Sequence, residues 1–240
     1  MSKTLGIVFA NMHDTRLDKI TEHRTMASVP FGGRYRLIDF VLSNLINSGI
    51  QDVGVIAKSN FQSLMDHLGN GKEWDLARKV GGLTLLPPFG THEAVYYRGR
   101  LEALGNALSY IRSSKAELVL MTDCDNITSI DYSDVIRFHK ERGADVTVVY
   151  KREPIVHSNH DDITTLEMDP EGRVTGAYVN PESEEGAVWL NMAVISKKLL
   201  ERIISDAAAQ TFTALPTAFC KRETHALKFT DMSFPAMLQI

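Results

Sequence analysis

RYRLIDFVLSNLINSGIQDVGVIA, residues 34–57, contains the pattern of a helix followed by the pattern of a buried strand. Apolar residues recur at helical spacing from Leu37 to Ile46, and Gly49 stands where the helix would stop, which predicts a helix over 34–48. The run DVGVIA at 52–57 and the similar run TLGIVFA at 4–10 are short and apolar, which predicts strands covered on both faces. A helix between two such strands predicts a right-handed βαβ unit.

The same alternation of helix and strand continues along the chain. Further helices are predicted over 61–68, 101–114 and 133–142, the last with Ser133 as its N-cap, and further strands over 83–88, 117–123 and 145–151. Three strand patterns then follow without a helix, at 163–169, 174–180 and 188–196, before a helix at 197–209 and a possible strand at 224–231. We therefore predict an α/β fold: a doubly wound, mostly parallel sheet with an antiparallel extension, in one domain over 1–240.

The composition excludes several classes of protein. Hydrophobic residues make up 44% of the 240 and charged residues 23%, which is typical of a folded globular domain. The net charge of −4 gives no general attraction to nucleic acid or to anionic membranes, so neither is expected as a partner. Only two cysteines occur, no Cys/His group has zinc-ligand spacing, and no apolar run is long enough for a signal peptide or a membrane span. These features favour a cytoplasmic protein that acts on small molecules.

Three segments resemble one family of enzymes. The segment at 29–50, VPFGGRYRLIDFVLSNLINSGI, is similar to the signature of bacterial glucose-1-phosphate adenylyltransferases. More than twenty contiguous positions of the segment agree with that signature in residue type. YYRGRLEALGNALSYI at 96–111 and VLMTDCDNITSIDY at 119–132 resemble two further family segments, so the resemblance covers about residues 4–200. It implies a Rossmann-like, GT-A-like nucleotidyltransferase domain. The family also carries a C-terminal left-handed β-helix, and 1–240 contains no hexapeptide repeat of that kind.

The family reaction joins glucose 1-phosphate to the α-phosphate of ATP, and pyrophosphate leaves. The resemblance implies that a glycine-rich loop with a basic residue holds the triphosphate, that carboxylates hold Mg²⁺, and that a cationic pocket holds the sugar phosphate. If this chain is active it requires Mg²⁺, and otherwise no cofactor is expected. Each of the three parts can be compared with the residues present.

The loop after the first strand keeps the arginines of the family but not its glycines. Arg16 and Arg24 match, whereas Asn11, Met12 and Asp14 stand at the glycine positions, and Met26 stands at the position of a lysine. A carboxylate within ~4 Å of a phosphate charge, at an effective dielectric near 20, costs on the order of 4 kcal/mol and weakens binding roughly a thousandfold. The resemblance therefore implies a loop disabled for triphosphate.

The metal position is the best preserved of the three. Asp125 aligns with the catalytic and metal-binding aspartate of the family and follows a predicted strand, where α/β proteins bind their ligands. Asp123 could point the same way, and the alternative is that both aspartates are solvated residues at a strand end. No convincing match exists for the second family aspartate.

The positions implied to bind sugar phosphate have changed in type. Gly99 is retained, but the small residues that follow it in the family are replaced by Arg100, Leu101 and Glu102. Asn180 stands where the family has a lysine that meets the sugar phosphate, and Asn191 stands where it has a glycine. Losing a charge-assisted bond of this kind costs about 1.5–3 kcal/mol.

Framework positions thus match the family while substrate-facing positions do not. This is the pattern expected of a paralogue that keeps the fold after losing the chemistry. The sequence resembles the regulatory-type subunit of the family, which implies that it works in a hetero-oligomer with a catalytic adenylyltransferase paralogue. One alternative is an active enzyme that uses Arg16, Arg24 and Asp125 as its catalytic residues. Another is a sensor that binds ATP, glucose 1-phosphate or ADP-glucose without turnover.

Overall fold

A nine-stranded sheet forms the centre of the fold in the part of the chain that the computed structural model describes, residues 3–10, 12, 17, 19–88, 99–155, 163–209, 224–228 and 238–239. The strands are β1 (Thr4–Phe9), β2 (Pro30–Phe31), β3 (Tyr35–Arg36), β4 (Asp52–Ile56), β5 (Gly82–Leu86), β6 (Leu118–Asp123), β7 (Asn126–Ile127), β8 (Val146–Pro154), β9 (Thr164–Met168), β10 (Val174–Val179), β11 (Glu185–Ser196), β12 (Thr224–Lys228) and β13 (Leu238–Gln239). The helices are α1 (Leu37–Asn47), α2 (Gln62–Leu68), α3 (Arg100–Asn106), α4 (Leu108–Ser113), α5 (Tyr132–Arg142) and α6 (Lys197–Ala209). Short two-stranded pairings of β2 with β3 and of β7 with β13 lie outside the main sheet.

Four parallel strands make the core of this sheet, in the order β5-β4-β1-β6. Side chains of β1 alternate between its two faces: Leu5, Ile7 and Phe9 pack in one hydrophobic cluster, and Val8 packs in the other. Because both clusters are buried, the strands read as continuous apolar runs, as predicted for a doubly wound sheet. This part of the predicted fold is confirmed.

The antiparallel extension is built around the long strand β11. It pairs antiparallel with β6, β8 and β9, and β9 pairs antiparallel with β10 at the end of the sheet. The possible last strand of the sequence pattern forms β12, which runs parallel to β8. The extension predicted from residues 163–196 is therefore confirmed, and β11 joins it directly to the parallel core.

Helices cover both faces of the sheet. Apolar residues of α3, α4 and α6 pack in one cluster, and those of α1, α2 and α5 pack in the other. Among the described residues, none of the helices combines the length and apolar character required to cross a membrane.

Three local predictions need correction. Residues 35–36 belong to a short hairpin, not to the helix, because Gly32 and Gly33 turn the chain at positive φ and α1 begins only at Leu37. The helix predicted over 101–114 is two helices, since the chain breaks at Ala107 between α3 and α4. The N-cap of α5 is Asp131, not Ser133: its carboxylate accepts a hydrogen bond from the Ser133 N–H at 2.8 Å. Hydrogen bonding from the Ser133 side chain, and to a smaller extent from this N–H, lowers the pKa of Asp131 against the opposing effect of burial.

Candidate active site

The candidate site lies where β1 and β6 end. Phe9 and Asp123 are the last residues of these strands and are paired in register. The carboxyl ends of neighbouring parallel strands leave a crevice where α/β proteins hold ligands, so side chains from both strand ends and from the following loops meet there.

A buried ion pair closes one side of this crevice. The Arg100 guanidinium donates from Nε to Oδ1 of Asp123 at 3.2 Å, and from Nη2 to Oδ2. Only 16% of the Arg100 side chain and 2% of the Asp123 side chain are exposed. The guanidinium carbon also lies 5.9 Å from the ring centroid of Phe9, within range of a cation–π contact. The pair is therefore bidentate and largely shielded from water.

The start of α3 explains why Arg100 reaches the strand end. Gly99 is the N-cap of α3, and its φ of −173° is extended backbone open to any residue type. Arg100 follows as the first helical residue, while Glu102 in the same turn is exposed. The first turn of α3 thus presents Arg100 to the end of β6, at the position where the sequence comparison expects a small residue.

Asp125 is held in a buried turn directly after β6. The residue is 4% exposed, and both its neighbours are fixed by hydrogen bonds. The Cys124 N–H donates to the Phe9 carbonyl at 3.2 Å, and the Asn126 amide donates to the Leu190 carbonyl at 2.7 Å. Two aspartates, at 123 and 125, therefore stand at the carboxyl edge, one of them bonded to Arg100.

Asn191 lies beside the same edge, in a bulge of β11. Register shifts between Trp189 and Met192, and Asn191 takes a φ of +57°. The ladder with β6 begins two residues later, at Ala193 opposite Met121, and the neighbouring Leu190 carbonyl accepts the hydrogen bond from Asn126, just after β6. Asparagine tolerates this left-handed conformation better than most residues, which explains why it can replace glycine here.

The loop after β1 is described only in part. Asn11, Asp14 and Arg16 lie outside the described residues, whereas Met12 is partly buried against the cluster on the α3, α4 and α6 face. Arg24 is half-buried in a turn, where its N–H donates to the Thr21 carbonyl at 3.4 Å. Met26 is 1% exposed and packs in the opposite cluster, so the side chain at the lysine position contributes to the core.

Asn180 stands apart from the strand ends of β1 and β6. It follows β10, and the strands β9 and β11 lie between β10 and β6 in the sheet. Its N–H donates to the Ile163 carbonyl at 2.8 Å, and its Oδ1 accepts from the Ile163 N–H at 3.0 Å. The structure thus gathers Asp125, Gly99 and Asn191 around the end of β6, together with Asp123 and Arg100, and uses Asn180 to tie β9 to β10.

The pairing of Arg100 with Asp123 was not predicted. The resemblance to the family shows Arg100 only as a large residue at a position where the family has a small one. A buried aspartate at a strand end does require a cation or several donors, and this requirement was the available signal. Within the described part of the chain, no group of three or more His, Cys, Asp or Glu side chains is arranged to hold a metal ion.

A Rossmann-like sheet with aspartates at its carboxyl edge places this chain among the doubly wound α/β proteins, which bind ligands where their parallel strands end. Residues 5–215 match the nucleotidyl transferase family, and the chain belongs to that family. It is 40% identical over 208 residues to the glucose-1-phosphate adenylyltransferase of Pseudothermotoga lettingae, and 35% identical over 208 residues to that of Thermotoga maritima. Each alignment covers 86% of this chain and 49% of the relative, so the chain spans about half the length of these curated relatives.

Proposed function

We propose that this domain belongs to a regulatory-type subunit of glucose-1-phosphate adenylyltransferase. In this role it supports ADP-glucose formation from ATP and glucose 1-phosphate by a catalytic paralogue in a hetero-oligomer, while its own site does little chemistry. The observation that carries the proposal is the ion pair of Arg100 with Asp123, which occupies the edge of the sheet where substrates of this family are expected.

The ion pair favours a closed site for an energetic reason. Both charges are largely removed from water, so separating them leaves a buried carboxylate without its cation. Removing one partner of such a pair typically costs 3–5 kcal/mol. A substrate that displaces Arg100 has to supply a comparable interaction, and the phosphate of glucose 1-phosphate has the wrong sign to replace the guanidinium at Asp123.

The carboxylates also fit Mg²⁺ poorly. Magnesium is usually held by one or two carboxylates together with substrate phosphates. Arg100 already neutralises Asp123, so of the two described aspartates at this edge only Asp125 is left as a candidate ligand. The loop adds to this deficit, because Asn11, Met12 and Asp14 replace the glycines that let backbone N–H groups approach phosphate.

Assays of the purified protein test the proposal, first alone and then mixed with a catalytic adenylyltransferase of the same organism. Pyrophosphate release from ATP, glucose 1-phosphate and Mg²⁺ is expected to be negligible for the protein alone. The mixture is expected to exceed the catalytic subunit alone in rate or in apparent affinity. Turnover by the isolated protein at the rate of the catalytic subunit contradicts the proposal and favours an active enzyme with an unusual loop. A mixture identical to the catalytic subunit also contradicts it, and ligand binding without turnover then favours a sensor.

A further inference from the structure

A second cleft, of mixed polar and apolar lining, lies at the opposite edge of the parallel sheet. It has a volume of about 340 Å³, and its lining includes residues from the starts of β1, β4 and β5 and from the end of α4 and the loop after it. Pockets for small molecules range from about 300 to 1,000 Å³, so this cleft suits a compact ligand. The candidate active site uses the carboxyl ends of the strands, and this cleft uses their amino ends.

Asp52 is the acceptor within the cleft. The Tyr110 hydroxyl donates to its Oδ1 at 3.0 Å, and the Ser114 hydroxyl donates to its Oδ2 at 2.6 Å. A carboxylate offers about four lone-pair positions, so these two bonds leave acceptor capacity on both oxygens. Burial, and next the charge of Asp52, raise the pKa of Tyr110, which keeps the phenol protonated as a donor.

The position of Tyr110 depends on a glycine in β4. A Cβ at Gly54 would lie 2.6 Å from Cε1 of the Tyr110 ring, so the ring occupies space that any other residue would fill. The glycine lets the ring lie against the strand, with its hydroxyl directed back to the first residue of β4. The acceptor is therefore fixed by contacts from both β4 and α4.

Two lysines supply the opposite charge. Lys3 and Lys115 both line the cleft and are exposed, and in the described ranges neither forms an ion pair within 4.0 Å. Two ammonium groups against one carboxylate leave the lining net positive. Thr84 adds a hydroxyl, and Val80 and Ala116 add apolar surface. The lining thus offers cations for an anion and an acceptor for hydroxyl groups.

We propose that this cleft binds a small polyol phosphate, with the phosphate between Lys3 and Lys115 and a hydroxyl group donating to Asp52. Inorganic phosphate fits less well, because a phosphate held between the lysines carries no carbon-bound hydroxyl group that could donate to Asp52. An uncharged polyol fits less well because it leaves both lysines unused. The inference goes beyond the proposed function and does not depend on it, since no residue of the candidate active site takes part.

Calorimetric titration of the purified protein at low salt tests the proposal with glycerol 3-phosphate, inorganic phosphate and glycerol as probes. We expect glycerol 3-phosphate to bind at least about tenfold more tightly than either of the other probes. Each of those lacks one charge-assisted hydrogen bond, and the loss of one such bond lowers affinity by about this factor. The double variant Lys3→Ala, Lys115→Ala is expected to lose at least about tenfold in affinity, whereas Lys140→Ala on α5 keeps it. Affinity is expected to fall as salt is raised.

Three results overturn the proposal. The first is an absence of glycerol 3-phosphate binding, and the second is equal affinity for glycerol 3-phosphate and inorganic phosphate. The third is full binding by the double lysine variant. Since both lysines are exposed, the double variant should unfold at the same urea concentration as the wild type, so a lost signal reports the site and not the fold.

Discussion

At the scale of single residues, the pair of Arg100 with Asp123 is a buried ion pair at the candidate site. Arg100→Gln removes the cation from a carboxylate that is 2% exposed. We expect this change to lower the free energy of unfolding by about 3–5 kcal/mol, because the buried charge is left without its partner. Urea unfolding followed by circular dichroism measures the change.

A surface arginine provides the matched control for this prediction. Arg137 pairs with the carboxylates of Asp134 and Glu141, but 65% of its side chain is exposed. Arg137→Gln is expected to cost less than about 1 kcal/mol. The double variant Arg100→Met, Asp123→Leu is expected to lose much less than the two single changes together, and strict additivity would contradict a direct pairing.

His139 gives a prediction about pH. It is 5% exposed, and its Nδ1 lies 3.0 Å from Oγ1 of Thr147. Burial lowers the pKa of His139; the charge of Asp145 opposes this effect, and the charge of Lys140 adds to it. The unfolded chain therefore binds a proton near pH 6.5 that the folded chain does not. This contribution to stability is complete above about pH 6.5 and is lost as the pH falls from there towards the lowered pKa, by at most ~1.4 kcal/mol per pH unit.

Unfolding midpoints measured from pH 7.5 to 5 test this dependence. His139→Gln is expected to be less stable at pH 7.5 and to show a flatter profile on acidification. His23→Gln is the control, because the His23 side chain is 86% exposed and its removal should leave the profile unchanged. The assignment is wrong if the His139 variant retains the full slope of the wild type.

Single residues of the site were predictable only where strand position decides their location. Asp125 could be placed at the carboxyl edge because it follows an apolar run that becomes β6. The partner of Asp123 could not be identified, because it lies 23 residues away along the chain, and the contact depends on how α3 packs beside β6. The burial of Met26 was also not predictable from its own segment, because it follows from packing around α1.

At the scale of secondary-structure elements, neighbouring side chains leave no room in β4 for a Cβ at residue 54. A Cβ there would lie 2.6 Å from Tyr110, 3.0 Å from Leu86 and 3.2 Å from Ile7. We expect Gly54→Ala to destabilise by about 1–3 kcal/mol through overpacking. Gly105→Ala in α3 is the control, since its Cβ would meet only Ile204 at 3.9 Å, and a gain of up to ~1 kcal/mol is expected from helix propensity. Equal effects of the two changes in thermal unfolding would contradict the packing argument.

Elements with a long repeating pattern were predicted well, and those without one were not. The spacing from Leu37 to Ile46 identified α1, and apolar runs identified β1, β4 and β6 to within one or two residues. The hairpin of β2 and β3 was missed because strands of two residues have no measurable period. The break at Ala107 was missed because the apolar spacing continues from α3 into α4.

At the scale of the whole molecule, the proposed loss of nucleotide chemistry rests on two separate features at one edge of the sheet. The first is the loop after β1, where Asn11, Met12 and Asp14 occupy glycine positions. The second is the ion pair at the end of β6. One acts on the triphosphate and the other on the carboxylates, so reversing either alone should leave the other obstacle in place. Two independent obstacles mean that the site has changed at several points, whereas a single obstacle means that one change inactivated it.

Restoring the family residues in steps tests this independence. Binding of a fluorescent ATP analogue with Mg²⁺ is measured for a loop variant (Asn11→Gly, Met12→Gly, Asp14→Gly), for Arg100→Thr, and for their combination. Removing the Asp14 charge is worth up to ~4 kcal/mol, or roughly a thousandfold, so the loop variant should gain affinity and Arg100→Thr alone should not.

The combination should bind more tightly than the loop variant, because Asp123 is then released to join Asp125 near the cation. Arg112→Thr in the loop background is the control, since Arg112 is 56% exposed and pairs only loosely with Glu201, at 3.8 Å. Tight binding by Arg100→Thr with the natural loop would mean that the ion pair is the one obstacle, and the loop substitutions would then need another explanation.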